Sequence, residues 1–189
     1  MKKLIALMLC LAMALSFTAA FAETTPKGNI EETPVDGRFT VRWFLPEGYY
    51  SQSVNIDYTA GSLITALMPE DTEAGKPMML VSIAADELLS EVQRLNDLDD
   101  DALAQIEATF REEDQVEITY METAHGTKLM VVKETLDGVD YVDFYTIYLG
   151  YEIELVLTQT QENAGVSITD EQIATVIQFL SDMEFFPAE

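Results

Sequence analysis

Residues 115–159 read QVEITYMETAHGTKLMVVKETLDGVDYVDFYTIYLGYEIELVLTQ. The pattern predicts four consecutive β-strands, QVEITYMET, TKLMVVKET, VDYVDFYTIYL and YEIELVLTQ. Short turns join them at Ala124-His125-Gly126, Leu136-Asp137-Gly138 and Leu149-Gly150. Asp137-Gly138 is the strongest hairpin signal, because both residues tolerate the positive φ of a tight turn that matches strand twist. Side chains alternate across a strand, so Val116, Ile118 and Tyr120 in the first strand and Ile153, Leu155 and Leu157 in the last each define one apolar face. The middle strands are apolar on both faces. Leu129 and Val131 oppose Met130 and Val132, and Tyr145 and Ile147 oppose Val142, Phe144 and Tyr148. The centre of the sheet therefore needs cover on both sides.

The chain before the meander begins with an export signal. Lys2 and Lys3 precede the apolar run Leu4 to Phe17, and Ala20-Phe21-Ala22 offers a small-x-small cleavage site. Residues 1–22 are the expected signal peptide, which locates the protein outside the cytoplasm as a secreted or extracytoplasmic chain. Cys10 lies within the removed run, so the expected mature chain of 167 residues (189 less 22) has no cysteine and relies on its core rather than on disulfides. Loss of Lys2 and Lys3 takes the formal net charge from −24 to −26. Such a charge repels nucleic acid and anionic membrane, so neither is an expected partner, and no later apolar run is long enough to insert in a bilayer. Residues 23–37 are acidic, carry Pro26 and Pro34, and read as a flexible leader. Residues 38–189 are expected to form a single domain.

Within that domain Phe39 to Leu45, Val54 to Thr59, Leu63 to Met68 and Met78 to Ala84 are strand-like. Asp86 is placed to cap a helix carrying Leu88, Leu89, Val92 and Leu95. Asp99 to Asp101 open a second, with Leu103, Ile106 and Phe110 at helical spacing. Thr169 and Gln172 form a capping-box pair for a third, carrying Ile173, Val176, Ile177 and Leu180. Phe185-Phe186-Pro187 are expected to pack back on the body. The predicted class is α+β, one antiparallel sheet with helices over both faces.

This order resembles the PsbP-like α/β/α sandwich group. The features that carry the resemblance are Phe39-Thr-Val-Arg-Trp-Phe-Leu-Pro46 with Glu47-Gly48-Tyr49, the Met78–Ala84 strand followed by helices, Gly126 opening a strand, and Gly150-Tyr151-Glu152-Ile153 before the last helix. The resemblance spans roughly Arg38 to Phe186 and implies an accessory or binding protein rather than an enzyme. It assigns no functional residue.

The chemistry-bearing residues are few. His125 is the sole histidine and falls in a turn. Without a G-x-S-x-G elbow or a mature cysteine, nucleophilic triads and structural zinc lack their parts. No glycine-rich phosphate loop is present. Asp97, Asp99 and Asp101 match the first three ligand positions of an EF-hand loop, but Ala102 and Ala108 stand where glycine and the bidentate glutamate belong. Helix capping and the helix dipole explain these aspartates better than a calcium loop does. Calcium is thus the only cofactor the sequence suggests. Trp43 and Tyr49 flank the Pro46-Glu47-Gly48 turn and are the candidate ligand contacts, on the expectation that the turn leaves them at an edge. Three readings follow: an exported non-enzymatic binding or accessory domain for an extracellular protein or small ligand, a hydrolase of envelope or extracellular polymer using a carboxylate pair, and a calcium-responsive module.

Overall fold

The computed structural model describes residues 30–45, 47–57, 62–71, 75–111, 116–136, 139–160, 165–181 and 183–188. The expected signal peptide and residues 23–29 of the expected leader lie outside these residues. So do Pro46, Ala60-Gly61 and the Asp137-Gly138 turn.

The four-strand meander forms. Strands β6 (Val116–Glu122), β7 (Lys128–Leu136), β8 (Val139–Tyr148) and β9 (Tyr151–Thr158) pair antiparallel in succession. Leu136 pairs with Val139, so only two residues connect β7 to β8. Leu149 and Gly150, at φ 51° and 80°, make the β8–β9 turn between paired Tyr148 and Tyr151. Ahead of the meander, β3 (Tyr49–Asp57), β4 (Ser62–Pro69) and β5 (Met78–Ala85) form an antiparallel run whose last strand joins β9. The result is a seven-stranded antiparallel sheet in the order β3-β4-β5-β9-β8-β7-β6.

A second sheet sets the class. β2 (Phe39–Phe44) pairs on one side with β1 (Ile30–Val35) and on the other with β10 (Glu184–Pro187), giving a separate three-stranded sheet. It packs on the face of the large sheet that carries Phe144, Tyr148, Tyr151, Ile153 and Leu155, burying Phe39, Val41 and Trp43 between the two. Phe185 of β10 stacks on Tyr148 with centroids 4.6 Å apart. Helix α2 (Asp170–Ser181) adds Ile173, Val176 and Leu180 to the same core.

The α+β class with helices over both faces is therefore corrected to a two-sheet fold that is mostly β among the described residues, with far more strand than helix. Two physical causes separate the outcome from the expectation. First, Phe39 to Leu45 finds its partners in the leader and the C-terminal tail rather than in the large sheet. β1 lies at an edge, where Pro34 is tolerated because its missing N–H breaks no central ladder. Second, the expected helix after Asp86 shrinks to two 3-10 turns, Glu87–Leu89 and Leu95–Asp97. Its backbone is used instead to grip the β8–β9 turn. Leu149 N–H donates to Gln93 C=O at 2.8 Å, and Gly150 N–H donates to Val92 C=O at 2.9 Å.

The connection from β5 in mid-sheet to β6 at the edge must cross a face. It carries helix α1 (Asp100–Phe110) with it. Leu95, Leu103 and Phe110 pack there on Met130, Val132, Tyr145 and Ile147. α1 and its flanking turns thus cover the β6–β8 side of this second face.

Candidate functional site

The other half of that second face has a different composition. Strand alternation and register place Ala66 and Met68 of β4, Met78 and Leu80 of β5, Val156 of β9 and Tyr141 of β8 side by side. These six form one apolar cluster with Ala66 and Leu80 fully enclosed. Among the described residues, no side chain from outside the strands belongs to it.

Acidic side chains border this cluster on the same face. Asp143 of β8 lies opposite Val156, and Glu154 of β9 lies between Tyr145 and Ser82. Asp143 is thus diagonal to Glu154 on β9 and to Glu134 on β7, within the range at which cross-strand diagonals interact. Asp143 is half-buried as a residue, but its Oδ1 is sealed from solvent and has no hydrogen-bond partner among the described residues. Burial pushes its carboxyl well above the ordinary range, and the like charges of Glu154 and Glu134 add to the rise. Glu154, 8% exposed, is pushed up to about 7, first by burial and then by Glu152. Glu152 is also raised by burial. The Tyr145 hydroxyl, which donates to its Oε1 at 2.9 Å, opposes that shift, the charge of Asp86 adds to it, and the positive chain N-terminus opposes it for both Glu152 and Glu154. None of the ion pairs among the described residues reaches Asp143, Glu152 or Glu154. Chemically, this border can hold protons near neutral pH or accept a cation. A positive group set among the carboxyls favours their ionised forms and offsets part of their desolvation.

The residues singled out in the sequence lie elsewhere. Trp43 is wholly buried between the sheets, and its indole N–H donates to Glu31 Oε2 at 2.9 Å. Tyr49 is buried too. Its hydroxyl donates to the Pro77 carbonyl at 2.8 Å, and burial raises its pKa to about 12. Both serve the core, and the turn between them does not bring them to an open edge.

Asp97, Asp99 and Asp101 are all exposed. Asp99 is the N-cap of α1, its Oδ1 accepting from Ala102 N–H at 2.8 Å, and Asp101 sits in the first helical turn. Asp97 ends the preceding 3-10 turn. Among the described residues no group of three or more acids, histidines or cysteines is disposed to hold a metal ion. His125 is exposed in the β6–β7 turn.

Asp143 and Glu154 were hidden by the rule that an alternating strand turns its charges to water. Alternation sets Glu152 and Glu154 against Ile153 and Leu155, and on that pattern alone they face water, while Asp143 is one polar residue in a tyrosine-rich strand. The available signal was an acid within VDYVDFYTIY, a strand whose neighbours demand cover on both sides.

No protein-family model, curated protein or solved structure matches this chain. No described helix is long and apolar enough to cross a membrane.

Proposed function

We propose that the protein is an exported, non-enzymatic binding or accessory domain whose ligand seats on the half-face formed by β4, β5, β9 and β8. One observation carries this reading: beside the apolar cluster stands a carboxylate, Asp143, whose Oδ1 is enclosed and has no hydrogen-bond partner among the described residues. Stable domains satisfy enclosed polar atoms. A lone enclosed carboxylate oxygen next to an apolar strip is therefore the kind of exception that binding of a ligand resolves.

The test is affinity capture from the native culture medium with residues 23–189, run beside the Met68→Glu and Tyr141→Glu variants. Both side chains are only partly buried at this cluster, so each substitution is expected to leave thermal unfolding nearly unchanged. A partner retained by the parent chain and lost from both variants supports the reading. Capture that is indifferent to both sinks it.

A further inference from the structure

We propose that the outer edge of β6 is a pairing surface for a second copy of this chain, which joins it antiparallel across a two-fold axis at Thr119. This edge involves neither the apolar cluster of β4, β5, β9 and β8 nor Asp143.

Among the described residues the two sheets end in four edge strands, β1, β10, β3 and β6. An edge strand offers a row of unpaired N–H and C=O groups, and proteins that stay single blunt it with proline, a bulge or brevity. Three of the four are blunted. β1 carries Pro34, β10 is four residues long and ends at Pro187, and the register of β3 with β4 shifts between Ser53 and Asn55. β6 is different. Its seven residues pair with β7 without a shift, include no proline and carry no charge from Ile118 to Met121. Glu117, Thr119, Tyr120 and Glu122 are exposed.

Backbone direction fixes which groups are on offer. The Thr123 N–H donates to the Thr127 carbonyl at 2.9 Å, so Thr123 faces β7. Direction alternates along an antiparallel strand, and Met121, Thr119 and Glu117 therefore bond to β7 as well. Val116, Ile118, Tyr120 and Glu122 direct their N–H and C=O groups outward.

The side chains select the occupant. A two-fold axis at Thr119 sets Ile118 against Tyr120 of the second copy and Val116 against its Glu122, so outward residues meet outward residues and can exchange both backbone hydrogen bonds. The Ile118–Tyr120 pair, β-branched against aromatic, occurs twice by symmetry. Thr119 meets Thr119, Glu117 meets Met121, and no like charges stand directly opposite. Tyr120 is already held in place. Its hydroxyl donates to Glu107 of α1 at 2.8 Å, and Lys128 Nζ lies 4.6 Å from its ring centroid. A ring fixed beforehand loses little freedom on pairing. The shifted register of β3 blunts the far ends of the joined sheet, so pairing closes as a dimer instead of growing.

The experiment is sedimentation equilibrium of residues 23–189 over a concentration series. A dimer is expected, tighter in high salt than in low because salt screens the repulsion between two acidic chains. Thr119→Lys and Thr119→Glu each put like charges face to face at the axis and should weaken the dimer at least about tenfold. An equimolar mixture of the two sets Lys against Glu and should restore association to within about threefold of the parent. Thr119 is exposed, so both variants should keep the parent's unfolding transition. Hydrogen exchange on the parent chain needs no variant. The Val116, Ile118, Tyr120 and Glu122 amides should gain protection as concentration rises, while those of Thr119 and Met121 stay constant.

A chain that remains monomeric at every concentration and in high salt overturns the proposal. A dimer that is indifferent to both Thr119 variants, or that gives the outward β6 amides no protection, lies on another surface and overturns it too. Loss in both variants without restoration on mixing overturns the axis at Thr119. Protection of the outward amides only when another protein is added makes that protein's strand the occupant and overturns the second copy.

Discussion

The Tyr145 hydroxyl donates to Glu152 Oε1 at 2.9 Å across the β8–β9 pair, while the Tyr145 ring meets Phe110 of α1 edge-to-face at 5.5 Å. One side chain thus ties the covered half of the face to its acidic border. Tyr145→Phe keeps the ring contact and removes only the donor. Glu152 is then left in a partly enclosed site without that bond, which costs about 1–3 kcal/mol in urea unfolding at neutral pH. The lost bond was holding the Glu152 pKa down, so the variant should titrate Glu152 higher than the parent does. An unchanged Glu152 titration, read by NMR, would place the hydroxyl outside this network.

The acidic border sets the sign of a pH dependence. Glu154 ionises near 7 in the folded chain against an ordinary 4.5. Between those values the folded state holds more protons than the unfolded state, so stability falls as pH rises through that window. Below about 4.5 both states are protonated and the penalty is absent; above about 7 it is complete. Its ceiling for Glu154 alone is roughly 3 kcal/mol, from about 1.4 kcal/mol per pKa unit. Asp143, raised by burial with Glu154 and Glu134 nearby, pushes in the same direction. Glu154→Gln should therefore flatten the decline in melting temperature between pH 5 and 7. A Gln variant that loses stability at pH 7 would contradict this account.

The sequence shows local structure better than it shows cover. The meander, α1 and the reciprocal cap of α2 all follow from short-range pattern. In that cap Thr169 N–H donates to Gln172 Oε1 at 2.8 Å and Gln172 N–H donates to Thr169 Oγ1 at 3.3 Å. The demand of Leu129 to Tyr148 for packing on both faces was also legible. What supplies that packing was not, because the β1–β2–β10 sheet joins segments about 150 residues apart through backbone bonds that leave little trace in any one of them. The segment after Asp86 shows local propensity being overruled. Leu88 stands 91% exposed, and the backbone nearby bonds the β8–β9 turn rather than itself. The candidate site was least legible of all, since whether Glu154 faces water depends on the layer above it and not on the alternation of YEIELVLT.

That grip on the turn predicts a sensitive glycine. Gly150 sits at φ 80°, and a Cβ built there would lie 3.0 Å from Ser90 Cα and 3.2 Å from the Leu89 carbonyl oxygen. Backbone atoms cannot swing aside as a side-chain tip can. Gly150→Ala combines left-handed strain with this crowding and should cost about 2 kcal/mol. Hydrogen exchange should report loosening at the Leu149 and Gly150 amides, which Gln93 and Val92 hold. Gly37→Ala offers the contrast. It has φ 65° but nothing within 4 Å of the added carbon, so it tests strain alone and should cost less. Equal losses at the two positions would show that the contact with Ser90 contributes nothing.

The aspartates before α1 can be separated into cap and metal ligand by choosing substitutions that differ in only one of those roles. Asp99 accepts from Ala102 N–H, a bond that asparagine can also accept and alanine cannot. Asp99→Ala should lower stability by about 1 kcal/mol, while Asp99→Asn should stay close to the parent. Asp97, which makes no cap bond and ends a short exposed turn, should tolerate alanine with little change. A calcium site predicts a different order, because it depends on charge: Asp97→Asn and Asp99→Asn would then both abolish a calcium-dependent rise in melting temperature. The capping geometry predicts no such rise in the parent chain at millimolar calcium. A rise that disappears in the Asn variants would establish the metal role instead.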